Sequence, residues 1–510
     1  MTQIHRLIAL VLFAFAVPAG AAEWHRAATA HFEIYADDDA AEVRARAERL
    51  ERFDAVLRLV SGINPDQETR PITVFFVRDV ETIRRMLGPA FRNAAGFYSP
   101  RTAGSLIVAP GRTSWNQEGA MTSETVLLHE YAHHFLLQNF AAAYPPWFVE
   151  GFAEFYATSV FNRDGSVTIG GIPLFRVPNL RASEGISAED LLTTGAIDPR
   201  SRTLENFYAR SWLLVHYLSF SSSRAGQRAR YIAAIEQGQP LEAAAQSAFG
   251  DLRAFNAELR RYIDSPIATA TVAASSLPVP AVTVAQLSSA EAALIPLRIE
   301  LMRGVADERK AAFAAQVRAV AAGFPADPNA LFVLAEAEGI AGRPDASDEA
   351  ADALLALVPN HARALLRKAR NLEARTGAAG RIAARPLIVR ANRADPRDPL
   401  PLLAYYRSFR AAGQPAAPEM ALDGLLLAVQ LAPQVGDLRL VVGAALLKAG
   451  EIDAAERVLR PAAYAPHGGS PAEQAQALLV ILAAARADAA ALPAAAAAAE
   501  RILVQRLDPA

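Results

Sequence analysis

His129 and His133 stand four residues apart, with Glu130 between them, in the run Val126 to Leu137: Val-Leu-Leu-His-Glu-Tyr-Ala-His-His-Phe-Leu-Leu. On an α-helix a step of four returns to the same face, so both imidazoles can reach one metal ion, and Glu130 sits one position round from them. Val126, Leu127, Leu128, Phe135, Leu136 and Leu137 make this helix apolar on nearly every side, so the polar group is buried and something must satisfy it. A second stretch, Pro145-Pro146-Trp147-Phe148-Val149-Glu150-Gly151-Phe152-Ala153-Glu154-Phe155-Tyr156, supplies carboxylates. Its proline pair opens a helix, because proline is tolerated in the first turn. Glu150 and Glu154 then share one face, and two buried carboxylates side by side repel unless a cation or donors neutralise them. A zinc site of two histidines and one glutamate uses both: Glu150 as third ligand, Glu154 as the acceptor that orients a ligand imidazole.

The chain has no cysteine. That excludes disulfides, thiolate ligands and cysteine nucleophiles together, and leaves histidine and carboxylate, the donor set of catalytic zinc sites. The formal net charge of -2 gives no case for nucleic acid as a partner. There is no phosphate-binding Gly-x-x-x-x-Gly-Lys loop, no Gly-x-Ser-x-Gly elbow and no dinucleotide fingerprint. His134, about a quarter turn from His133, is expected to be a hydrogen-bonded neighbour, and His216 to be core.

The elements that must position these residues follow from length and periodicity. A chain of 510 residues is expected to form two or three domains. His5 and Arg6 precede an apolar run from Leu7 to Val17 and a small-residue segment ending at Ala22, which predicts a signal peptide over 1–22 and an exported, periplasmic or secreted protein with no membrane anchor after cleavage. Over 23–264, His31 to Tyr35 alternates like a strand, Ala40 to Val60 has the spacing of a long amphipathic helix, and Pro71 to Val77 is a β-branched, aromatic strand. Val80 to Leu87 reads as a helix, then Gly96 to Tyr98 and Gly104 to Ala109 as strands ahead of the histidine helix. Asn162 to Thr203 is rich in Gly and Pro without strong periodicity, which favours a functional lining over filler. Helices resume over Leu204 to Phe220 and Ala225 to Ile263. The Ala-, Val-, Thr-, Ser- and Pro-rich segment 265–289 reads as an inter-domain linker.

From 290 to 510 the chain changes character. Pro328, Pro359, Pro396, Pro433 and Pro466 recur at spacings of 31, 37, 37 and 33 residues, each ending one apolar-periodic block and starting the next. Ala335, Ala337 and Gly339, and later Gly443, Ala444, Gly450, Ala454 and Ala455, put small residues where paired helices would pack closely. The pattern resembles the tetratricopeptide repeat, with its period near 34 residues, though most of the aromatic signature positions are missing.

His129-Glu130-Tyr131-Ala132-His133, followed by Trp147-Phe148-Val149-Glu150-Gly151-Phe152-Ala153-Glu154, resembles the gluzincin pattern of a zinc helix and then a Trp-x-x-Glu-Gly-x-Ala-Glu helix. Within that clan the chain is most similar to exported bacterial peptidase-MA-like proteins that include a domain of unknown function, often followed by tetratricopeptide repeats. The resemblance spans roughly Phe32 to Ile263. It implies an α+β zincin-like metallopeptidase domain followed by an all-α tetratricopeptide-like repeat domain. It also implies one zinc ion on His129, His133 and Glu150, and Glu130 as the base that takes a proton from water and hands it to the departing amine. Glu154 would accept from a ligand imidazole, and Tyr208, in Asn206-Phe207-Tyr208-Ala209-Arg210, falls where related enzymes place an oxyanion-stabilising phenol. Sixteen residues separate His133 from Glu150, slightly fewer than in the aminopeptidase branch, and the Gly-x-Met-Glu-Asn motif of that branch is missing. The expected function is an exported zinc peptidase acting on a peptide or protein, with repeats that engage a protein partner. The competing expectation is a repeat scaffold whose peptidase-like domain binds peptides without cleaving them.

Overall fold

A computed structural model describes residues 23–64, 69–88, 94–112, 120–181, 186–195, 201, 203–410, 417–465 and 469–507. The signal peptide expected over 1–22 and Pro466 of the proline series lie outside the described residues. The architecture is mixed α/β, an N-terminal sheet with helices followed by a mostly helical C-terminal region.

The first half runs β1 (Trp24–Ala28), β2 (Phe32–Asp37), α1 (Ala40–Ser61), β3 (Ile72–Asp79), α2 (Val80–Leu87), β4 (Phe97–Ser99) and β5 (Leu106–Arg112). Asp39 caps α1 by accepting from the backbone N–H groups of Ala41 and Glu42, which satisfies two of the donors a helix start leaves open. Six strands form one sheet in the order β4-β5-β3-β2-β1-β9, where β9 is Thr283–Gln286. The central pairs β2–β3 and β3–β5 are parallel, whereas β4, β1 and β9 pair antiparallel at the margins. Because side chains alternate along a strand, Phe32, Ile34, Val74, Phe76, Ile107 and Ala109 face α1 and the histidine helix. Tyr35, Phe75, Val77, Leu106 and Val108 face the other way.

The histidine helix is α3 (Ser123–Asn139), followed by α4 (Pro146–Ala157), the short strands β6 (Val160–Phe161) and β7 (Val167–Ile169), α5 (Val177–Leu180) and α6 (Ala188–Thr193). Then come α7 (Leu204–Phe220), α8 (Gln227–Glu236), α9 (Leu241–Phe249) and α10 (Leu252–Ile263). The segment 265–289, expected to be a linker, contributes one short strand to the large sheet and one to a three-stranded sheet with β6 and β7. Its strand β8 (Ala270–Val272) pairs with β7, and β9 pairs with β1. The following helix, α11 (Ser289–Arg303), expected to open the repeat region, lays Ile295 and Ile299 on the second face of the large sheet. A composition of Val, Thr and Ala with few large apolar residues suits marginal strands as well as it suits a linker, since such strands bury little side-chain surface.

From Lys310 to Leu507 the described chain is helical, with short turns between successive helices. Pro328 sits at the start of a helix capped by Asp327, and Pro359, Pro396 and Pro433 fall in turns between helices. Ala335, Ala337, Ala444 and Ala455 are all buried. This region returns to the sheet half: Gln434 donates to Ser105 Oγ at 3.0 Å, Arg363 to the Ala103 carbonyl at 2.5 Å and Arg460 to the Ile235 carbonyl at 3.4 Å.

Candidate metal centre

The site is built on α3, α4 and α7. Thr122 caps α3 by accepting from the Thr125 N–H, and Pro146 opens α4. The two helices α4 and α7 approach so closely that a Cβ on Gly151 would lie 2.4 Å from the Ser211 carbonyl oxygen. Only glycine fits there. This approach puts Tyr208 of α7 beside the carboxylate face of α4.

His129, His133 and Glu150 come together. Nε2 of His129 lies 3.1 Å from Nε2 of His133, and Oε2 of Glu150 lies 3.6 Å from the first and 3.5 Å from the second. Tetrahedral ligands at about 2.0–2.1 Å from zinc stand roughly 3.3–3.4 Å apart, so this triangle has the size that zinc requires. Its chemistry also fits, with two imidazoles and one fully buried carboxylate. The local field favours positive charge. Burial works against the protonated form of His129, but the facing Glu150 carboxylate, with the charges of Glu154 and Glu130, outweighs it and lifts the imidazole to about 9.

Glu154, also buried, directs Oε1 toward Nδ1 of His129 at 3.7 Å. Glu130 is half-buried, and a Cβ on Gly96, just before β4, would lie 3.5 Å from its Cγ. Tyr208 has its ring centroid 6.4 Å from that of His129. Burial, then the charges of Glu150 and Glu154, push its phenol well above the usual tyrosine range, so it stays a proton donor.

The other histidines have separate surroundings. His134 Nδ1 lies 3.1 Å from the Tyr98 hydroxyl of β4, and burial pushes its pKa down to about 3, so it is neutral. His216 is fully buried between the Tyr262 hydroxyl and the carbonyls of Gly170 and Ala268, at 2.9, 3.1 and 2.9 Å. A second cluster, His31, Glu51 and Asp54, has metal-ligand spacing. Its charge is already met: Arg58 donates to Asp54 at 2.6 Å and Tyr131 to the same carboxylate at 2.6 Å.

One residue of the site escaped sequence reasoning. Arg176, at the end of the turn Leu174–Arg176, donates from Nη2 to Glu154 Oε1 at 2.7 Å and from Nε to Oε2 at 3.3 Å. It also meets Glu205, and its guanidinium carbon lies 5.1 Å from the centroid of the Tyr208 ring. An arginine in an aperiodic loop carries no pattern by which it could be found. The stretch as a whole, Asn162 to Thr203, is the one whose composition pointed to a lining role.

No family model matches the chain, and no curated protein matches it.

Proposed function

We propose that this chain is an exported zinc-dependent peptidase of the gluzincin type, with a tetratricopeptide-like region that engages a protein partner. The observation that carries the reading is the triangle of His129, His133 and Glu150, whose edges of 3.1, 3.5 and 3.6 Å match what zinc requires. Export is inferred from the N-terminal sequence, and no helix among the described residues is long and apolar enough to cross a membrane.

A bound zinc ion would supply Lewis acidity at this triangle toward a water molecule and a carbonyl group. The remaining steps belong to the chain's own side chains. Glu130, adjacent to the ligands but not among them, takes the proton of the attacking water and passes it to the leaving amine. Tyr208, kept protonated by its surroundings, donates a hydrogen bond to the oxygen that gains negative charge. Glu154 Oε1, 3.7 Å from His129 Nδ1, would accept from that nitrogen and leave Nε2 of the ring as the ligand atom. Among the described residues β4 is the marginal strand of the sheet and begins just after Gly96, next to Glu130, and strand addition is a general mode by which an extended peptide binds such a margin.

The test is metal content and turnover of two proteins side by side. Wild type is expected to hold one zinc per chain and to cleave members of a peptide library. Glu130→Gln is expected to keep the zinc and lose turnover by at least a hundredfold, the lower range for a general base. Wild-type protein that binds no zinc refutes the reading. Zinc binding with no cleavage of any peptide favours the non-cleaving scaffold.

A further inference from the structure

We propose that Arg176 is the positioning residue of this centre: its guanidinium fork fixes the Glu154 carboxylate in the orientation that meets His129, and thereby sets how His129 presents itself to the metal. The inference rests on the zinc reading above. Two buried carboxylates, Glu150 and Glu154, stand one helical turn apart on α4, and in a dry site both would seek the same cation. Arg176 separates their roles. It pairs with both oxygens of Glu154, at 2.7 and 3.3 Å, and is itself only 5 % exposed. A planar fork on a planar carboxylate fixes rotation as well as position, which a point charge does not. Glu154 Oε1 therefore stays between Nη2 of Arg176 and Nδ1 of His129.

That placement matters because a histidine can offer either ring nitrogen, and the acceptor at one decides that the other faces the metal. Glu150 is left to face the two imidazoles. The same guanidinium meets Glu205 in the first turn of α7 and stacks near the Tyr208 ring three residues later. One side chain thus joins α4, α7 and the turn before α5. The aperiodic stretch between β6 and α7 thereby gains a role, since it delivers this arginine from outside the helical frame.

The experiment measures zinc affinity of the full chain by competition with a chromogenic chelator, in wild type, Arg176→Met, Arg176→Lys, Glu154→Gln and Arg176→Met/Glu154→Gln. Loss of an outer-shell partner lowers metal affinity by roughly 10–100-fold, and Arg176→Met is expected within that range. Arg176→Lys should recover part of the loss, since it restores the charge but not the fork. The double variant should bind zinc no more weakly than Glu154→Gln alone, because Arg176 acts through that carboxylate. Cobalt(II) loaded in place of zinc should show a visible absorption band that is shifted in Arg176→Met, a readout that a purely structural role would not move. Wild-type affinity in a folded Arg176→Met overturns the proposal, as does a double variant that loses the full product of the two single effects. Should Arg176→Met fail to fold, Arg176→Lys is compared in the wild-type and Glu154→Gln backgrounds. A loss confined to the wild-type background supports the proposal, and an equal loss in both overturns it. The two readings fail differently: wild type without zinc removes the metal centre, whereas zinc-binding wild type with an indifferent Arg176→Met removes only the role of Arg176.

Discussion

Replacing Gly151 with alanine tests how the helix frame sets the candidate metal centre. The added Cβ would stand 2.4 Å from the Ser211 carbonyl oxygen, 2.7 Å from its carbon and 2.7 Å from Val215 Cγ2. The first two are backbone atoms, which cannot rotate away. Ordinary contact begins at 3.4 Å, so α4 and α7 must part by about 1 Å, and overpacking of this kind destabilises by about 1–3 kcal/mol. Alanine returns about 0.8–1 kcal/mol in helix propensity, which leaves a net loss on the order of 0–2 kcal/mol. The effect on the site is larger, because metal–ligand distances tolerate only about 0.2 Å and Glu150 precedes the substituted residue. Zinc affinity should fall at least tenfold, measured by chelator competition, with stability read from urea unfolding of the metal-free protein. Gly424 is the control. It lies inside the helix Glu419–Leu431, where an added Cβ comes no closer than 3.7 Å to Leu402. Alanine there should stabilise by about 0.5–1 kcal/mol and leave zinc affinity unchanged. A Gly151→Ala protein as stable as wild type with full zinc affinity would refute the claim that close approach of α4 and α7 positions Glu150.

Two further outcomes follow from groups around the centre. Tyr131→Phe removes the hydroxyl that donates to the buried Asp54 carboxylate at 2.6 Å, and urea unfolding should show a loss of about 1–3 kcal/mol, since a buried charged acceptor loses a donor. A loss under about 0.5 kcal/mol would mean that Arg58 and His31 satisfy Asp54 by themselves. The acid limb of stability tests His216. Burial depresses its pKa against the opposing pull of the Ala268 and Gly170 carbonyls, so the unfolded chain binds its proton first. The stability that neutral His216 contributes is therefore present above the unfolded value of about 6.5 and is lost as pH falls below it toward the folded value. Melting temperatures of wild type and His216→Gln should converge on acidification below that point, and a constant difference down to pH about 5 would contradict a neutral buried ring.

Much of the frame is legible in the sequence because burial leaves a period. The alternation of β2 and β3 and the apolar spacing of α1 and α7 identify themselves, since one face of each packs on a core. The motif residues on α3 and α4 are legible for a different reason: their spacing is itself the geometry of one helical face. What periodicity cannot convey is a partner that comes from elsewhere in the chain. β1, β8 and β9 are short marginal strands whose pairing depends on a sheet already formed, and nothing in their own residues distinguishes them from loop. Arg176 is the sharper instance, because an isolated arginine reads the same whether it points to water or to a buried carboxylate 22 residues back in sequence. The proline series locates helix turns, but the boundary expected before residue 290 marks no break, since α11 packs on the sheet through Ile295 and Ile299.

The middle of the histidine helix is largely apolar, and Tyr131, His134 and the pair His129 and His133 are met on different sides by different elements. Tyr131 points to α1 through Asp54, His134 to β4 through Tyr98, and His129 with His133 to α4 through Glu150 and Glu154. The first two pairings are ordinary hydrogen bonds of 2.6 and 3.1 Å, complete within the protein. The third differs in kind. Its nitrogens and carboxylate oxygen stand 3.1 to 3.6 Å apart around a common point, and the field there lifts His129 far above an ordinary imidazole while burial drives His134, a few residues on, far below it. The difference between two buried histidines on one helix lies in what faces them: a phenol in one case, a set of carboxylates in the other. A helix needing only hydrogen-bonded polar residues would have no use for three carboxylates, Glu130, Glu150 and Glu154, gathered around its histidines, because each adds repulsion that a cation must offset. Arg176 offsets one of them. The positive charge that offsets the others can be carried by His129 itself as an imidazolium or by a metal ion on the two imidazoles and Glu150, and the metal content of the purified protein separates the two.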